Sequence, residues 1–312
     1  MKLTRRTFLK HTTLTLGGAL LGAKLPPLHA APPAPPIQNP KSKIQNPFDP
    51  LELIPLGKTK IKTTRLCLGT GTRGTRRQSD QTRLGPEKFA ALIRGAHERG
   101  IRAFDLADLY GTHTQFAAAM KGIPRDRYTI FTKIWFRPRG LPEPERPDIP
   151  TVIARFLKEL DTDYLDAVQL HCVDTPAWNT DLRPQMDALA ALKQKHIIHA
   201  HGVSCHSLAA LQTAAADPWC DTVHARINPY GLSMDAPPET VTPVLKQLHD
   251  SGKAVIGMKI MAVGKITDTP EKIDTSLRYA LNLGTVDILN IGCLTLAELD
   301  DTATRIRQTP RA

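Results

Sequence analysis

The stretch FDLADLYG (104–111) puts two carboxylates, Asp105 and Asp108, and one phenol, Tyr110, close together at the end of an apolar run. Two further groups close later apolar runs: Lys133 in FTKIWF and His171 in QLHCVD. A carboxylate that borders a core needs a partner or its pKa shifts. A lysine on the next strand end supplies one, because adjacent strands lie about 4.8 Å apart. Asp105 then keeps Lys133 charged and fixed. The lysine favours tyrosinate, so the Tyr110 pKa is expected below its usual ~10. His171 can donate a hydrogen bond to a carbonyl oxygen. Together these groups would protonate a developing alkoxide while hydride arrives from elsewhere. Asp108 reads as a solvated or helix-leading turn residue with no chemical task.

Each group also has a plainer reading. A strand-end lysine snorkels, a strand-end Asp caps the following helix, and a histidine in an apolar run is usually a satisfied core residue. Convergence on three consecutive strand ends favours the chemical reading.

Such convergence needs a scaffold. Eight strand-like runs occur: LCLGTG (66–71), IRAFDLA (101–107), YTIFTKI (128–134), LDAVQLH (165–171), IHAHGVS (198–204), TVHARIN (222–228), AVIGMKI (254–260) and VDILNIG (286–292). Helical patterns lie between them. Phe89, Leu92, Ile93 and Ala96 share one helix face, as do Ile153, Phe156, Leu157 and Leu160. Further helices are expected near 182–194, 207–216, 239–250, 270–283 and 295–308. Gly100, Gly252 and Gly284 stop three helices just before a strand. Eight units in this order predict an α/β fold, a (β/α)8 TIM barrel, with its active groups at the C-terminal strand ends. LELIPLGKTKIKTT (51–64) predicts a short β-hairpin ahead of it. A doubly wound sheet is the alternative, but GTGTRG (69–74) has the wrong glycine spacing for a dinucleotide loop and no helix start behind it.

The chain has 312 residues. Residues 1–30 run from a basic start through a short apolar stretch to Leu28-His29-Ala30, as a secretory signal does. Arg5-Arg6 with Thr-Phe-Leu-Lys resembles the twin-arginine type, which carries folded proteins. Residues 31–50 are proline-rich, with IQNP twice, and read as a disordered linker. The barrel is then expected over 51–312. Of the formal charge of +11, the first 30 residues hold five Lys/Arg and no acid, leaving 36 Lys/Arg against 30 Asp/Glu. That modest excess has no dense basic block, and no nucleic-acid partner is expected. The five cysteines form no CxxC, so free and mostly buried thiols are expected.

At this point the sequence resembles the aldo-keto reductases. GIRAFDLADLYG is similar to their G-x-x-x-x-D-T-A-x-x-Y-G signature, with Leu106 for Thr. RDRYTIFTKI resembles their lysine strand, QLHCVD their L-H-x-x-D strand, and HAHGVSCHS their I-G-V-S-N strand. The resemblance runs from about Leu56 to Arg305. It implies Asp105, Tyr110, Lys133 and His171 as the catalytic four, with Tyr110 the general acid in reduction and the base in oxidation. It also implies NADP or NAD bound without a Rossmann fold. The implied cofactor residues are Ser204, Cys205, Arg226, Met258, Lys259, Gly264, Gly292 and Glu298. Several depart from the family pattern: Cys205 replaces an Asn, Arg226 a Gln, Met258 an aromatic, Leu294 an Arg and Glu298 a Gln. Losing the Arg removes a partner for a 2′-phosphate. Trp135 and Phe136 are expected to wall the substrate pocket, with a long C-terminal loop short or missing.

The expected function is that of an exported, NAD(P)-dependent carbonyl reductase acting on a small aldehyde or ketone. Its expected partner is the twin-arginine export machinery, its location the periplasm or an equivalent space. No stable membrane span is expected after signal cleavage, and tight retention of cofactor is. One competing reading is a cofactor-binding or regulatory protein on the same barrel with little turnover. Another is a metal hydrolase using His171-Cys172 and Cys205-His206 as soft ligands. Neighbouring strand residues point opposite ways, so at most one of each pair is expected at the mouth.

Overall fold

A computed structural model describes residues 46–312. The signal segment (1–30) and all but the end of the linker (31–50) lie outside the described residues. The last linker residues belong to the fold. Phe48 is 6% exposed under the guanidinium groups of Arg65 and Arg311, and Pro47 bridges to Pro310. The folded body therefore starts a few residues before the expected boundary at 51.

Strands β1 (Leu53–Pro55) and β2 (Lys62–Thr64) form the expected antiparallel hairpin, with Leu53 opposite Thr64. The barrel strands are β3 (Leu66–Gly69), β4 (Ala103–Asp105), β5 (Thr129–Ile134), β6 (Leu165–Val173), β7 (Ile198–Cys205), β8 (Thr222–Arg226), β9 (Ala254–Met258) and β10 (Ile288–Gly292). Six fall within the runs read from the sequence, while β6 and β7 start with theirs and run past them to Val173 and Cys205. They pair in parallel and in chain order, and β10 closes the barrel against β3 and β9.

The helices are α1 (Pro86–Glu98), α2 (His113–Met120), α3 (Ile149–Leu160), α4 (Trp178–Asp181), α5 (Arg183–Gln194), α6 (Leu208–Ala216), α7 (Pro238–Asp250), α8 (Pro270–Asn282) and α9 (Leu296–Arg307). Local chemistry starts and stops them. Side chains of Asp148, Ser207, Thr269 and Thr295 accept the N–H three residues on, and proline opens α1 and α3,. Gly100, Gly252 and Gly284 follow their helices at positive φ, where a side chain would be strained,. Two helices, α2 and α4, escaped the sequence reading. Both are too short to show a repeating apolar face.

Alternation along each strand sorts side chains into two layers. Outward ones such as Leu68, Phe104, Val168 and Val203 pack under the helices. Inward ones fill the barrel. At its floor Cys67, Ala103, Phe131, Ala167, Ala200, Ile256 and Ile288 pack with Ile54 and Leu56 of the hairpin region. Above this floor the inward residues turn polar, and there the candidate site begins. Among the described residues no helix is long and apolar enough to cross a membrane.

Candidate active site

Asp105 ends β4 and points into the barrel, 3% exposed. Its carboxylate accepts three hydrogen bonds: from Lys133 Nζ at Oδ1, from His224 Nε2 at Oδ1 (3.0 Å) and from Asn290 Nδ2 at Oδ2 (2.8 Å). Burial alone would raise its pKa; the charges and hydrogen bonds of Lys133 and His224 outweigh it and hold the group well below the usual carboxylate range,. Lys133 also donates to Leu106 O (3.1 Å). His224 and Asn290 were missed in the sequence. Each lies two residues before a strand-end position that was singled out, so alternation along β8 and β10 could have found them.

Tyr110 sits on a single 3-10 turn, Asp108–Tyr110, just past β4. Its hydroxyl lies 3.4 Å from His171 Nε2, and Lys133 Nζ lies 5.2 Å from its ring centre. The His171 ring stands edge-on to Tyr110 on one side and to Trp135 on the other, with ring centres 5.4 and 5.5 Å away. The four groups expected to act together are thus brought together.

The expected direction of the Tyr110 pKa is overturned. Burial raises the phenol well above 10, and the charge on Asp105 raises it further. Lys133 is neutralised by its carboxylate partner, so it does not pull the phenol down. His171 is pushed well below 6.5 by burial and then by Lys133, and is a neutral imidazole.

The three glycines of GTGTRG now have a reason. A Cβ on Gly69 would lie 2.6 Å from Asn290 Oδ1. A Cβ on Gly71 or Gly74 would lie 2.2 or 2.4 Å from ring carbons of Tyr110. Absence of side chains there lets Asn290 reach Asp105 and lets the loop after β3 close on the tyrosine ring.

Asp108 also departs from expectation. It is 3% exposed, gripped by Arg155 through both oxygens (2.6 and 3.1 Å) and by Arg77 Nε (3.1 Å). It is not solvated, although it does lead the short 3-10 turn, as the alternative expectation has it.

The strand pairing of β6 with β7 shifts register between Leu170 and Val173, and Cys172 there adopts φ 63°. Such a bulge re-aims side chains. His171 faces Tyr110, while Cys172 Sγ lies 3.3 Å from His206 Nε2. Both members of the pair therefore reach the mouth, against the alternation argument. Burial raises the Cys172 thiol to about 11, although Arg137 and Arg226 oppose it. Arg226 donates to His206 Nδ1 and to Asp235 Oδ1 (2.8 Å). His206 is held to about 3 by burial and then by Arg226 and Lys259. Among the described residues no group of three or more His, Cys, Asp or Glu side chains could hold a metal ion. All five cysteines are free, four of them buried.

The residues implied for a nicotinamide cofactor divide. Met258 points into the mouth beside Arg226 across β8 and β9. Lys259, partly buried at φ 60°, makes no ion pair among the described residues. Burial and the nearby Arg226 lower its pKa. Arg226 leaves its buried Nε without a partner. Gly264 lies exposed at φ 85° in the loop after β9. This cationic, glycine-bearing rim fits the diphosphate of a dinucleotide.

The other implied positions have these surroundings. Cys205 is fully buried in the layer under the helices, so its thiol faces away from the mouth. Ser204 is fully buried, and its Oγ accepts the Cys172 N–H (2.9 Å), pinning the bulge. Glu298 closes a capping box at the start of α9: its N–H donates to Thr295 Oγ1 (3.1 Å) and its Oε2 accepts from Leu294 N (2.7 Å),. Gly292 abuts Thr72 and Gln81 of the loop after β3. Of the two pocket-wall residues, Trp135 reaches His171, whereas Phe136 packs against the outer layer.

A closed parallel barrel thus carries a phenol, an ammonium, an imidazole and a carboxylate together at its C-terminal mouth. The chain belongs to the aldo/keto reductase family, whose model matches residues 65–296. The chemistry of that family is NAD(P)-dependent oxidoreduction. Aldo-keto reductase AFTS1 of Alternaria alternata is 24% identical over 258 residues, covering 72% of this chain and 68% of that protein. Stretches matched to other curated relatives span from 27% to 70% of those proteins. Among solved structures, the holo form of aldo-keto reductase AKR11C1 from Bacillus halodurans superposes with a TM-score of 0.68 at 20% identity, covering 84% of this chain and 92% of that one. An aldo-keto reductase from Klebsiella pneumoniae, in complex with NADPH, gives 0.62 at 17% identity, covering 84% and 91%. These two likenesses concern the fold.

Proposed function

We propose that the protein is an NAD(P)-dependent carbonyl reductase in which Tyr110 is the general acid. The observation that carries this reading is the Tyr110 hydroxyl 3.4 Å from His171 Nε2, directly above the Asp105–Lys133 pair. Lys259, Arg226 and Gly264 would hold the diphosphate of the dinucleotide, and Met258 would offer an apolar, polarisable surface to its ring. Bound there, the dinucleotide supplies or takes up a hydride. Tyr110 donates its proton to the carbonyl oxygen as charge develops on it. The neutral His171 hydrogen-bonds the same oxygen and fixes its direction. Asp105, with His224 and Asn290 behind it, holds the Lys133 ammonium 5.2 Å from the centre of the phenol ring. Trp135 walls the substrate side. In the reverse direction the phenol must first lose its proton, which its raised pKa disfavours.

The test is fluorescence quenching of NADH and NADPH on the purified chain, with turnover of a panel of aldehydes and ketones. Binding of at least one nucleotide and oxidation of it by some carbonyl is expected. Binding of neither overturns the reading.

The same proposal places the enzyme outside the cytoplasm, exported folded by the twin-arginine route with its nucleotide already bound. The Arg5-Arg6 segment supports this. Replacing both arginines by lysine should leave the protein inside the cell; unchanged export would refute the route. Nucleotide should co-purify with the exported protein, and its absence would refute loading before export.

A further inference from the structure

Asp108 is the first member of a chain of charged and polar groups that runs around the outside of the barrel wall. Arg155 of α3 grips its carboxylate through both oxygens and also donates to Glu159 Oε1 (2.9 Å). Glu159 Oε2 lies 2.8 Å from His113 Nδ1, at the start of α2. His113 Nε2 lies 2.8 Å from Thr132 Oγ1. Thr132 is the residue before Lys133 on β5. The chain thus begins on the turn that carries Tyr110 and ends beside the lysine under its ring. Burial would raise the Glu159 carboxyl, yet its bonds to His113 and Arg155 hold it at about 2. Every link in the chain is hydrogen-bonded.

A second arm starts at the same carboxylate. Arg77 donates to Asp108, its backbone N–H donates to Leu109 O (3.0 Å), and its guanidinium pairs with Glu143. Arg77 belongs to the loop whose Gly71 and Gly74 close on the Tyr110 ring. A Cβ on Gly111 would lie 2.1 Å from Arg77 O. The loop and the turn are consequently fitted to each other on both sides of the tyrosine.

We infer that Asp108, through Arg155 and Arg77, is a positioning residue that sets where the Tyr110 hydroxyl stands relative to Lys133 and His171. The turn it anchors is one 3-10 turn with no side-chain cap. Such a turn has little rigidity of its own. Two guanidinium groups on one buried carboxylate supply what the turn lacks, because a forked pair fixes direction as well as distance. The inference rests on the reading of Tyr110 as the proton donor, and its test separates the two.

The full chain is labelled with 3-fluorotyrosine at its five tyrosines, and the Tyr110 signal is assigned by its loss in Tyr110→Phe. In Asp108→Asn the Tyr110 fluorine signal should shift or broaden while the other four hold. In the same variant kcat should fall by about a hundredfold, the scale of a misplacement near 1 Å, with KM and nucleotide affinity unchanged. A Tyr110 signal that stays in place overturns the inference. So does movement of all five signals together, which reports general loosening. Should Asp108→Asn not fold, Arg155→Lys is read by the same criteria, since it keeps a cation and loses the fork. If the wild type reduces no carbonyl, the fluorine spectra still decide the placement, and the proposed function alone fails.

Discussion

Lys133 gives its charge to Asp105 and only its neighbourhood to Tyr110. Its ammonium is bonded to the carboxylate and to Leu106 O, and stands 5.2 Å from the tyrosine ring centre. Burial, and then the charge on Asp105, raise the phenol's pKa and keep it protonated, in a state suited to giving a proton and poorly suited to taking one,.

The pH profile of reduction follows from that state. A group whose pKa is raised stays protonated until pH passes the raised value. Turnover is therefore expected to be level from neutral pH to about 10 and to fall only above it. Tyr110→Phe should lower kcat by about 10²–10⁴-fold with nucleotide binding intact. Stopped-flow oxidation of the reduced nucleotide across pH, in wild type and variant, checks both statements.

The carboxylate at the centre of the site is also a stability device. Asp105→Asn leaves a buried ammonium without its counter-ion, a change that costs about 3–5 kcal/mol. The folded-state pKa of Asp105 is depressed below its ordinary 3.8. Its contribution is fully present above that ordinary value and is lost as pH falls through the depressed one. Urea unfolding of wild type and Asp105→Asn from pH 7 to the acid limit should show two curves that converge at the acid end.

How far was this legible from residue types alone? All eight barrel strands were, because alternation and apolar runs are local signals. Asp105, Lys133 and His171 were, because each stands near the end of a run, and Tyr110 was, because it follows Asp105 closely. His224 and Asn290 were not, since they lie inside runs where a polar residue looks like an interruption. Asp108 was misjudged because its partners, Arg77 and Arg155, are 31 and 47 positions away. Cys172 was misjudged because a bulge breaks the alternation on which the argument relied. The phenol's pKa was misjudged because a pairwise view of charges left out burial, the largest cause of its rise.

Gly71→Ala tests the grip of the loop after β3 on the tyrosine ring. The added methyl meets ring carbons at 2.2 Å, so either the ring or the loop moves. A fall in kcat of about a hundredfold is expected, with the melting temperature lowered by a few degrees at most, consistent with a change of about 1 kcal/mol. Steady-state kinetics beside a thermal melt distinguishes the two effects.

The family resemblance implies that the start of α9 meets the adenosine end of the dinucleotide, and the prediction here rests on that. Leu294 brings no charge, and Glu298 is committed to the capping box. NADH is expected to bind at least as tightly as NADPH. Leu294→Arg should shift the ratio of their affinities toward NADPH by about tenfold or more, the scale of one charge-assisted hydrogen bond. Parallel titrations of both nucleotides on both proteins measure this.

Cys172 looks reactive by position and is not so by state. With its thiol raised to about 11, alkylation by iodoacetamide at neutral pH should be slow and should quicken as pH approaches that value. Mass spectrometry of the alkylated protein at a series of pH values follows it residue by residue.

The hairpin region beneath the barrel plugs the lower end with Ile54 and Leu56 against an apolar floor. Above that floor the buried side chains of Asp105, Lys133, Gln169 and His224 fill the barrel interior, and Tyr110 follows on the turn just past β4. With the lower end packed, the mouth is the side from which this polar cluster meets solvent. On the proposed reading of Tyr110 as the acid, the proton spent in a turnover is expected to be replaced from that same side, the side on which substrate would enter and product leave.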